Sequence, residues 1–238
     1  VRGESGHPVT LAGDPDDTSW LMLMKSNVQS DLAYLRVTNS VVSGTVLPVY
    51  ESEDMGGNAG WSFLAFPQDG DPIVWTGEAD NKWYNAANWN PQRLPIATDR
   101  VSIPASAANQ PTLSTYDATV KSLSVAAGAA LTISGVSLTA TETIAVTGTV
   151  TTTGGDVTSG GAFSLAAGGR FETNGGDMTA GGAFTCVGAL VATDYERFTF
   201  SNDVSFAGGT FTCARSTVEL AGAAAQTVDP DGQTFYAL

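Results

Sequence analysis

Few residues of this chain have the types and spacing that catalysis requires. The chain has 24 Asp and Glu residues, 10 Lys and Arg residues, and one histidine, His7. General acid–base chemistry on glycans needs clustered carboxylates with a cation nearby. In the second half, Arg170 and Glu172 have no equally strong partners close in the sequence, and no nucleophile, zinc-protease or phosphate-loop motif occurs. The sequence therefore predicts that the protein is not an enzyme.

Acidic loops offer the clearest sequence pattern for a metal. "DPDD" contains Asp14, Asp16 and Asp17, and "ESEDMGGN" contains Glu53 and Asp54. Loop carboxylates and backbone carbonyls are the ligands that Ca²⁺ prefers, although Asp-Pro and Asp-Gly also form ordinary turns. Structural calcium at these five residues is one prediction and simple turns are the alternative. No other cofactor is expected.

The tryptophans of the first half suggest a second kind of site. Trp75, Trp83 and Trp89 lie close in sequence, and aromatic rings stack well on sugar faces, so we consider them as a glycan-binding platform. The alternative is that they form a hydrophobic cap over the interior of a repeat structure. In that case the neighbouring asparagines form side-chain turns: Asn81, Asn85 and Asn88.

The chain changes character near residue 112, where an all-β repeat region begins. All five tryptophans and nine of the ten prolines come before that position. Beyond it, short segments alternate apolar residues with small or hydroxyl residues between glycines, which favours strands over helices. The predicted strands are Ser122–Val125, Leu131–Ser134, Val136–Ala140, Thr143–Val146 and Ala162–Leu165.

These segments recur at a nearly constant spacing. "TGGDVTSGGAF", which ends at Phe163, returns as "TNGGDMTAGGAF", which ends at Phe184, and "FTC" at Phe184 returns at Phe211. The pattern predicts a parallel β-solenoid (β-helix) with Gly-rich corners and rungs of about 19–27 residues. We expect it to be right-handed, as parallel connections generally are. An antiparallel sandwich is the alternative, but self-similarity favours the solenoid.

The two cysteines, Cys186 and Cys213, end the two "FTC" segments. If these segments lie on neighbouring rungs, about 4.8 Å apart, their separation suits a disulfide, which needs Cα atoms about 4.4–6.8 Å apart. A disulfide and a stacked pair of buried thiols are both consistent with the sequence.

Two stretches resemble β-helical repeats of large extracellular bacterial surface proteins of the giant-adhesin or surface-fibre type. Residues 32–63 end in acidic-Gly-Gly-Asn-x-Gly-Trp-x-Phe, and residues 74–104 follow the pattern W-x-G, W, N-W, P and D-x-V-x-I-P. The resemblance implies closing rungs over residues 1–66, a Pro- and Trp-rich junction over 67–112, and solenoid rungs over 113–238. It also implies a location outside the cell or at its surface.

Neither end of the sequence resembles a solenoid cap. Uncapped ends expose unpaired backbone groups, so we expect copies of the chain to join head to tail in a filament. The residues predicted at these ends are Val1, Val9, Leu11, Phe235, Tyr236 and Leu238.

Charge and hydropathy limit the other partners. A net charge of −14 argues against nucleic acid, and no apolar run is long enough to predict membrane insertion. We therefore expect a structural subunit of an extracellular bacterial filament or adhesin, with a glycan-binding adhesin module as the alternative.

Overall fold

A computed structural model describes residues 6–12, 20–23, 32–43, 47–64 and 72–238. The chain divides into two compact units, Val1–Gln68 and Asp69–Leu238. Within the described ranges nearly all regular structure is short β-strand, and the one helical element is a 3-10 helix, Ala86–Asn88. No helix among these residues is long and apolar enough to span a membrane.

The first unit contains three small parallel sheets. Their strand orders are β1-β3-β6, β2-β4 and β5-β7, formed by β1 (Val9–Ala12), β2 (Trp20–Leu23), β3 (Leu35–Thr38), β4 (Ser40–Ser43), β5 (Leu47–Tyr50), β6 (Glu53–Asp54) and β7 (Trp61–Leu64). Alternate residues of β3 point inward, as in Leu35 and Val37, which are both fully buried. They join a small core with Leu32, Val42, Leu47 and Val49.

The second unit contains three larger sheets. Sheet I has the order β28-β25-β22-β19-β16-β13-β10-β8-β9. Its strands are β8 (Pro72–Trp75), β9 (Trp89–Asn90), β10 (Arg100–Ile103), β13 (Ser122–Val125), β16 (Ile144–Val146), β19 (Phe163–Leu165), β22 (Phe184–Cys186), β25 (Val204–Ser205) and β28 (Val228–Asp229).

Sheets II and III have six strands each. Sheet II consists of β11 (Thr112–Leu113), β14 (Ala130–Ser134), β17 (Thr149–Thr153), β20 (Arg170–Asn174), β23 (Ala189–Ala192) and β26 (Thr210–Thr212). Sheet III consists of β12 (Ala118–Val120), β15 (Leu138–Ala140), β18 (Val157–Ser159), β21 (Met178–Ala180), β24 (Arg197–Phe200) and β27 (Thr217–Leu220).

The chain visits the three sheets in turn, so that each circuit is one rung of a parallel β-solenoid. Every strand pair of the second unit is parallel except β8 with β9. This confirms the solenoid and excludes the sandwich, and all five strands predicted from the sequence are present as β13, β14, β15, β16 and β19. The right-handed sense of the coil stays a prediction.

The pairing register between neighbouring rungs confirms the shorter repeat spacings that the sequence predicts. It corrects the longest spacing, the one between the two "FTC" segments. Phe163 pairs with Phe184, as the repeated phrase predicts, and Leu131 pairs with Val150 on an earlier rung. The spacing taken from the two "FTC" segments is wrong, because Phe184 pairs with Val204 in sheet I whereas Phe211 pairs with Leu190 in sheet II.

The interior follows from the alternation within each strand. Most inward positions are apolar and fully buried, and in sheet I they change from Leu123 and Ile144 to Phe163 and Phe184 along the stack. The Phe163 and Phe184 rings pack 5.9 Å apart. Burying each such side chain contributes roughly 1.5–3 kcal/mol, so the rungs are stabilised by many similar contributions.

Many corner glycines lie where successive turns are in backbone contact. A Cβ atom on Gly182 would lie 2.5 Å from the carbonyl carbon of Gly161, and one on Gly148 would overlap the carbonyl oxygens of Ala126 and Ala129. Any larger residue would push neighbouring rungs apart. The Gly-rich corners are therefore confirmed, with close approach of the backbones as one cause and positive φ as the other, as at Gly154 and Gly168.

Candidate functional site

The densest group of specific side-chain contacts surrounds three tryptophans at the first strand of sheet I. Trp75 on β8 pairs with Trp89 on the antiparallel strand β9, and their rings meet edge to face 4.9 Å apart. Trp83 contacts Trp89 in the same way at 4.8 Å. The Nε1 atoms of Trp75 and Trp89 donate to the carbonyls of Asn109 and Trp83, so both ring N–H groups are satisfied although the rings are buried.

The backbone around these rings covers the first strands of two sheets. Strand β9 lies along the outer side of β8. In sheet II, the Trp83 amide donates to the Thr112 carbonyl at 3.1 Å and the Thr112 amide donates to the Asn81 carbonyl at 2.7 Å. We call residues 72–112 the cap. The prediction that the tryptophans cover the solenoid interior is confirmed.

Asn88 is the central polar residue of the cap. Its Oδ1 accepts from the amides of Ala79 and Asp80, both at 2.9 Å, and its Nδ2 donates to Asp80 Oδ1 and the Lys82 carbonyl at 2.7 and 3.0 Å. The side chain is fully buried. All its hydrogen-bonding capacity is used, so it holds the loop before β9 in one conformation.

Asp80 is the carboxylate of this network. Burial raises the pKa of Asp80, but hydrogen bonds from the Lys82 amide, Asn88 and Asn85 outweigh that effect and leave the pKa below its ordinary value. Asn85 also accepts from the Ala87 amide at the start of the 3-10 helix. The predicted side-chain turn is therefore confirmed for Asn85. Asn88 instead binds residues six to nine positions earlier, and Asn81 Nδ2 reaches Thr112 Oγ1 at 3.3 Å.

A buried ion pair completes the cap. The guanidinium of Arg93 binds the Asp99 carboxylate through both terminal nitrogens, with Nη2 to Oδ1 at 2.7 Å, and the two side chains are 2% and 0% exposed. Asp99 Oδ2 also accepts from the Ile96 amide, and the Asp99 carbonyl accepts from the Lys121 amide just before β13. The pair therefore links the cap to the first complete rung. Asp99 is the acidic residue of the motif D-x-V-x-I-P, but no role was predicted for it or for Arg93.

The structure contradicts the glycan-stacking prediction for Trp75, Trp83 and Trp89. These rings are 0%, 1% and 1% exposed. A sugar needs an open aromatic face, and here those faces are covered by each other and by the neighbouring strands. The three residues are structural.

The disulfide prediction is also wrong. Both cysteines are free: Cys186 is buried at the end of β22 in sheet I, and Cys213 is half-buried directly after β26 in sheet II. The two residues belong to different sheets, so the alternative of a stacked thiol pair is wrong as well. Burial raises the pKa of the Cys186 thiol, whose Sγ lies 3.5 Å from the Gly188 carbonyl oxygen.

The predicted calcium ligands fall into two groups. Asp14, Asp16 and Asp17 lie outside the described residues, so calcium there stays a prediction. Glu53 forms an ion pair with Arg36 at 2.8 Å, and Asp54 Oδ1 accepts from the Gly56 amide and Asn58 Nδ2, which agrees with the alternative of an acidic turn. Over the described ranges, no group of three or more His, Cys, Asp or Glu residues is arranged to hold a metal.

The residues predicted at the assembly ends differ in exposure. Val1 lies outside the described residues, and Val9 and Leu11 belong to β1, the outermost strand of its sheet, where Val9 is exposed and Leu11 half-buried. Tyr236 and Leu238 are largely exposed.

Phe235 differs from these residues. Its ring packs 5.8 Å from both Phe206 and Phe211. Phe235 therefore covers the last part of the interior instead of projecting from it.

Three charged side chains of the rungs, Glu196, Arg170 and Glu172, form hydrogen bonds or ion pairs within the fold. Glu196, buried in the corner before β24, accepts from the amides of Gly175, Thr193 and Asp194. Burial raises the pKa of Glu196, but these backbone hydrogen bonds outweigh it and leave the pKa below its ordinary value. Arg170 and Glu172 form an ion pair with each other at 2.7 Å.

The parallel strand pairs of sheets I, II and III define a β-solenoid, and specific side-chain contacts stabilise its first part, the cap. A family described as a domain of unknown function (DUF8693) matches residues 74–159, beginning within β8 and ending with β18. That range includes most of the cap and the first rungs. No curated protein and no solved structure matches the chain.

Proposed function

We propose that this chain is a non-enzymatic structural segment of an extracellular bacterial surface filament or adhesin. The observation that carries the proposal is the unbroken register of sheets II and III, in which each of six strands pairs in parallel with the next over a continuous apolar interior. A stack of this kind resists bending and stretching because every rung is hydrogen-bonded to its neighbours along the axis.

The outer surface supports a structural role. The outward residue of successive sheet III strands is threonine in five positions in register: Thr119, Thr139, Thr158, Thr179 and Thr199. Short hydroxyl side chains on a chain with net charge −14 give a hydrated surface that repels copies lying side by side. Such a surface suits a rod that has to remain separate from its neighbours.

The charged side chains of the rungs also favour a non-enzymatic role. Some of them form ion pairs between neighbouring rungs, as Lys121 does with Glu142 and Arg197 with Glu219. Catalysis on glycans would need carboxylates that converge on a substrate and differ in environment. The pairs seen here instead neutralise each other along the surface.

Head-to-tail contact between copies is the proposed mode of assembly. Strand β28 is the outermost strand of sheet I, and the carbonyls of Thr227 and Asp229 face β25, where they accept from Val204 and Phe206. Because alternate residues of a strand point their backbone groups to opposite sides, the Val228 N–H faces away from the stack. It is available to an added parallel strand, for example from β1 of another copy.

Electron microscopy of the purified chain over a range of concentrations tests this proposal. We expect unbranched filaments from the wild type and from Val228→Ala, which controls for loss of the valine side chain. We expect loss of filaments in Val228→Pro, which removes the outward N–H donor and fixes φ. Persistent monomers of the wild type, or filaments that are undiminished in Val228→Pro, would overturn head-to-tail assembly. Loss of filaments in EDTA would additionally indicate calcium.

A further inference from the structure

The geometry points to a second role for the cap: it closes the first edge of sheet I against strand addition, and Asn88 determines whether it is closed. A parallel sheet can grow wherever its edge strand presents free N–H and C=O groups. The outer side of β8 is already occupied, because Val74 and Trp75 pair with Asn90 and Trp89 of β9. A strand of another chain can reach β8 only after β9 leaves.

Strand β9 is itself a poor template for further pairing. It is two residues long, and Pro91, which has no N–H to donate, follows it directly. It also runs antiparallel to β8, so it does not continue the parallel ladder of the rungs. Short edge strands and proline are common devices against edge-to-edge association.

The first edge of sheet II is covered as well. The outer side of β11 is covered through the bridge between Lys82 and Thr112. The apolar cross-section is filled by the three buried tryptophan rings. The cap therefore covers the first edges of sheets I and II and the apolar interior.

The closure depends on the connection between β9 and the loop before it, and Asn88 makes that connection. Its backbone carbonyl accepts from the Thr76 amide at 2.7 Å, at the end of β8. Its side chain meanwhile binds Asp80 Oδ1 at 2.7 Å and three backbone groups of the loop. One residue thus fastens β9 both to β8 and to the loop.

Asn88→Asp tests this role with little change of volume. The substitution removes both Nδ2–H donors and places a second carboxylate against Asp80, where like charges repel. A matched control is Asn202→Asp, which makes the same charge change at an exposed position. Both are made in full-length chains that also carry Val228→Pro, so the head-to-tail contact proposed above is blocked and its success or failure does not affect the result.

Two measurements are made at a concentration where the Val228→Pro parent sediments as a single species. We expect amide exchange in residues 73–77 to be faster by more than about tenfold in the Asn88→Asp chain, and we expect oligomers in sedimentation velocity. The Asn202→Asp chain should match the parent in both.

Two results would overturn the inference. Unchanged exchange in residues 73–77 would show that Asn88 does not hold the cap closed. Fast exchange in a chain that stays monomeric would show that the cap is no barrier to association. If Asn88→Asp unfolds the chain, the milder Asn85→Asp is judged by the same two measurements. It removes one hydrogen bond to Asp80 Oδ2 and places a carboxylate at the edge of the same network.

Discussion

The cap and the rungs of the second unit are stabilised in different ways. In the rungs, similar apolar residues occupy equivalent inward positions and the backbone ladder repeats, so no single side chain holds the stack together. In the cap, individual side chains such as Asn88, Arg93 and Asp99 hold loops that have no repeating ladder of their own. The repeat is therefore specified redundantly, and the cap is specified by a few residues.

This difference has a physical cause. Each inner rung offers its neighbours a complete set of backbone partners on both sides. The first rung has no further parallel strand of its own unit on one side, so its outward backbone groups and its interior are covered by other groups. The chain supplies them with buried amide, carboxylate and guanidinium groups together with three indole rings.

The largest expected effect comes from the buried ion pair of the cap. Asp99→Ala leaves the Arg93 guanidinium buried without its carboxylate, and we expect a loss of about 3–5 kcal/mol in the free energy of unfolding. Arg197→Ala, which breaks the exposed pair with Glu219, should cost no more than about 1 kcal/mol. Urea unfolding of both variants measures the comparison. Equal losses would show that the cap does not depend on single side chains more than the rungs do.

Glu196 is expected to give an effect of intermediate size. It lies in a rung, but like the polar residues of the cap it is buried and holds a loop through several specific hydrogen bonds. We expect Glu196→Gln to reduce stability near neutral pH by about 1.5–3 kcal/mol through weaker hydrogen bonds to the amides. Its folded-state pKa is lowered, so its stabilisation is fully present above the unfolded pKa and is lost as the pH falls through the folded pKa.

Urea unfolding at a series of pH values measures this dependence. The difference between wild type and Glu196→Gln should shrink as the solution is acidified from neutral pH to below the ordinary glutamate range. Glu142→Gln, at an exposed position, serves as the control. A difference that grows on acidification would contradict the assigned direction.

The smallest expected effect lies in the interior of sheet II. Thr152 and Thr173 are paired in register and fully buried. Thr152 Oγ1 has no hydrogen-bond partner among the described residues, whereas Thr173 Oγ1 donates to the Val191 carbonyl at 3.3 Å. We expect Thr152→Val to stabilise the fold by about 1 kcal/mol and Thr173→Val to gain less or to destabilise it. Thermal unfolding of the two variants measures this difference. A larger gain in stability for Thr173→Val than for Thr152→Val would contradict the view that Thr152 Oγ1, and not Thr173 Oγ1, lacks a hydrogen bond.

The rungs could be predicted well from the sequence, and the cap only in part. Alternation within "SLSV" and "LTIS" identifies β13 and β14, because a strand with one buried face must alternate. The alternation of "FTC" is the same in both copies, but it does not show which sheet a strand joins. The predicted pairing of Cys186 with Cys213 was wrong for that reason. For the tryptophans, sequence left stacking and capping open, since an indole ring suits both.

The solenoid, its glycine corners and the spacing of its inner rungs can be read from the sequence, because each depends on a local pattern that every rung repeats. The residues that close the first rung become visible only in the folded chain. Arg93 with Asp99, Asn88 with Asp80, and Glu196 with its amide donors depend on contacts between segments that no periodicity relates. Such contacts form once in the molecule, so no repeated pattern marks them in advance.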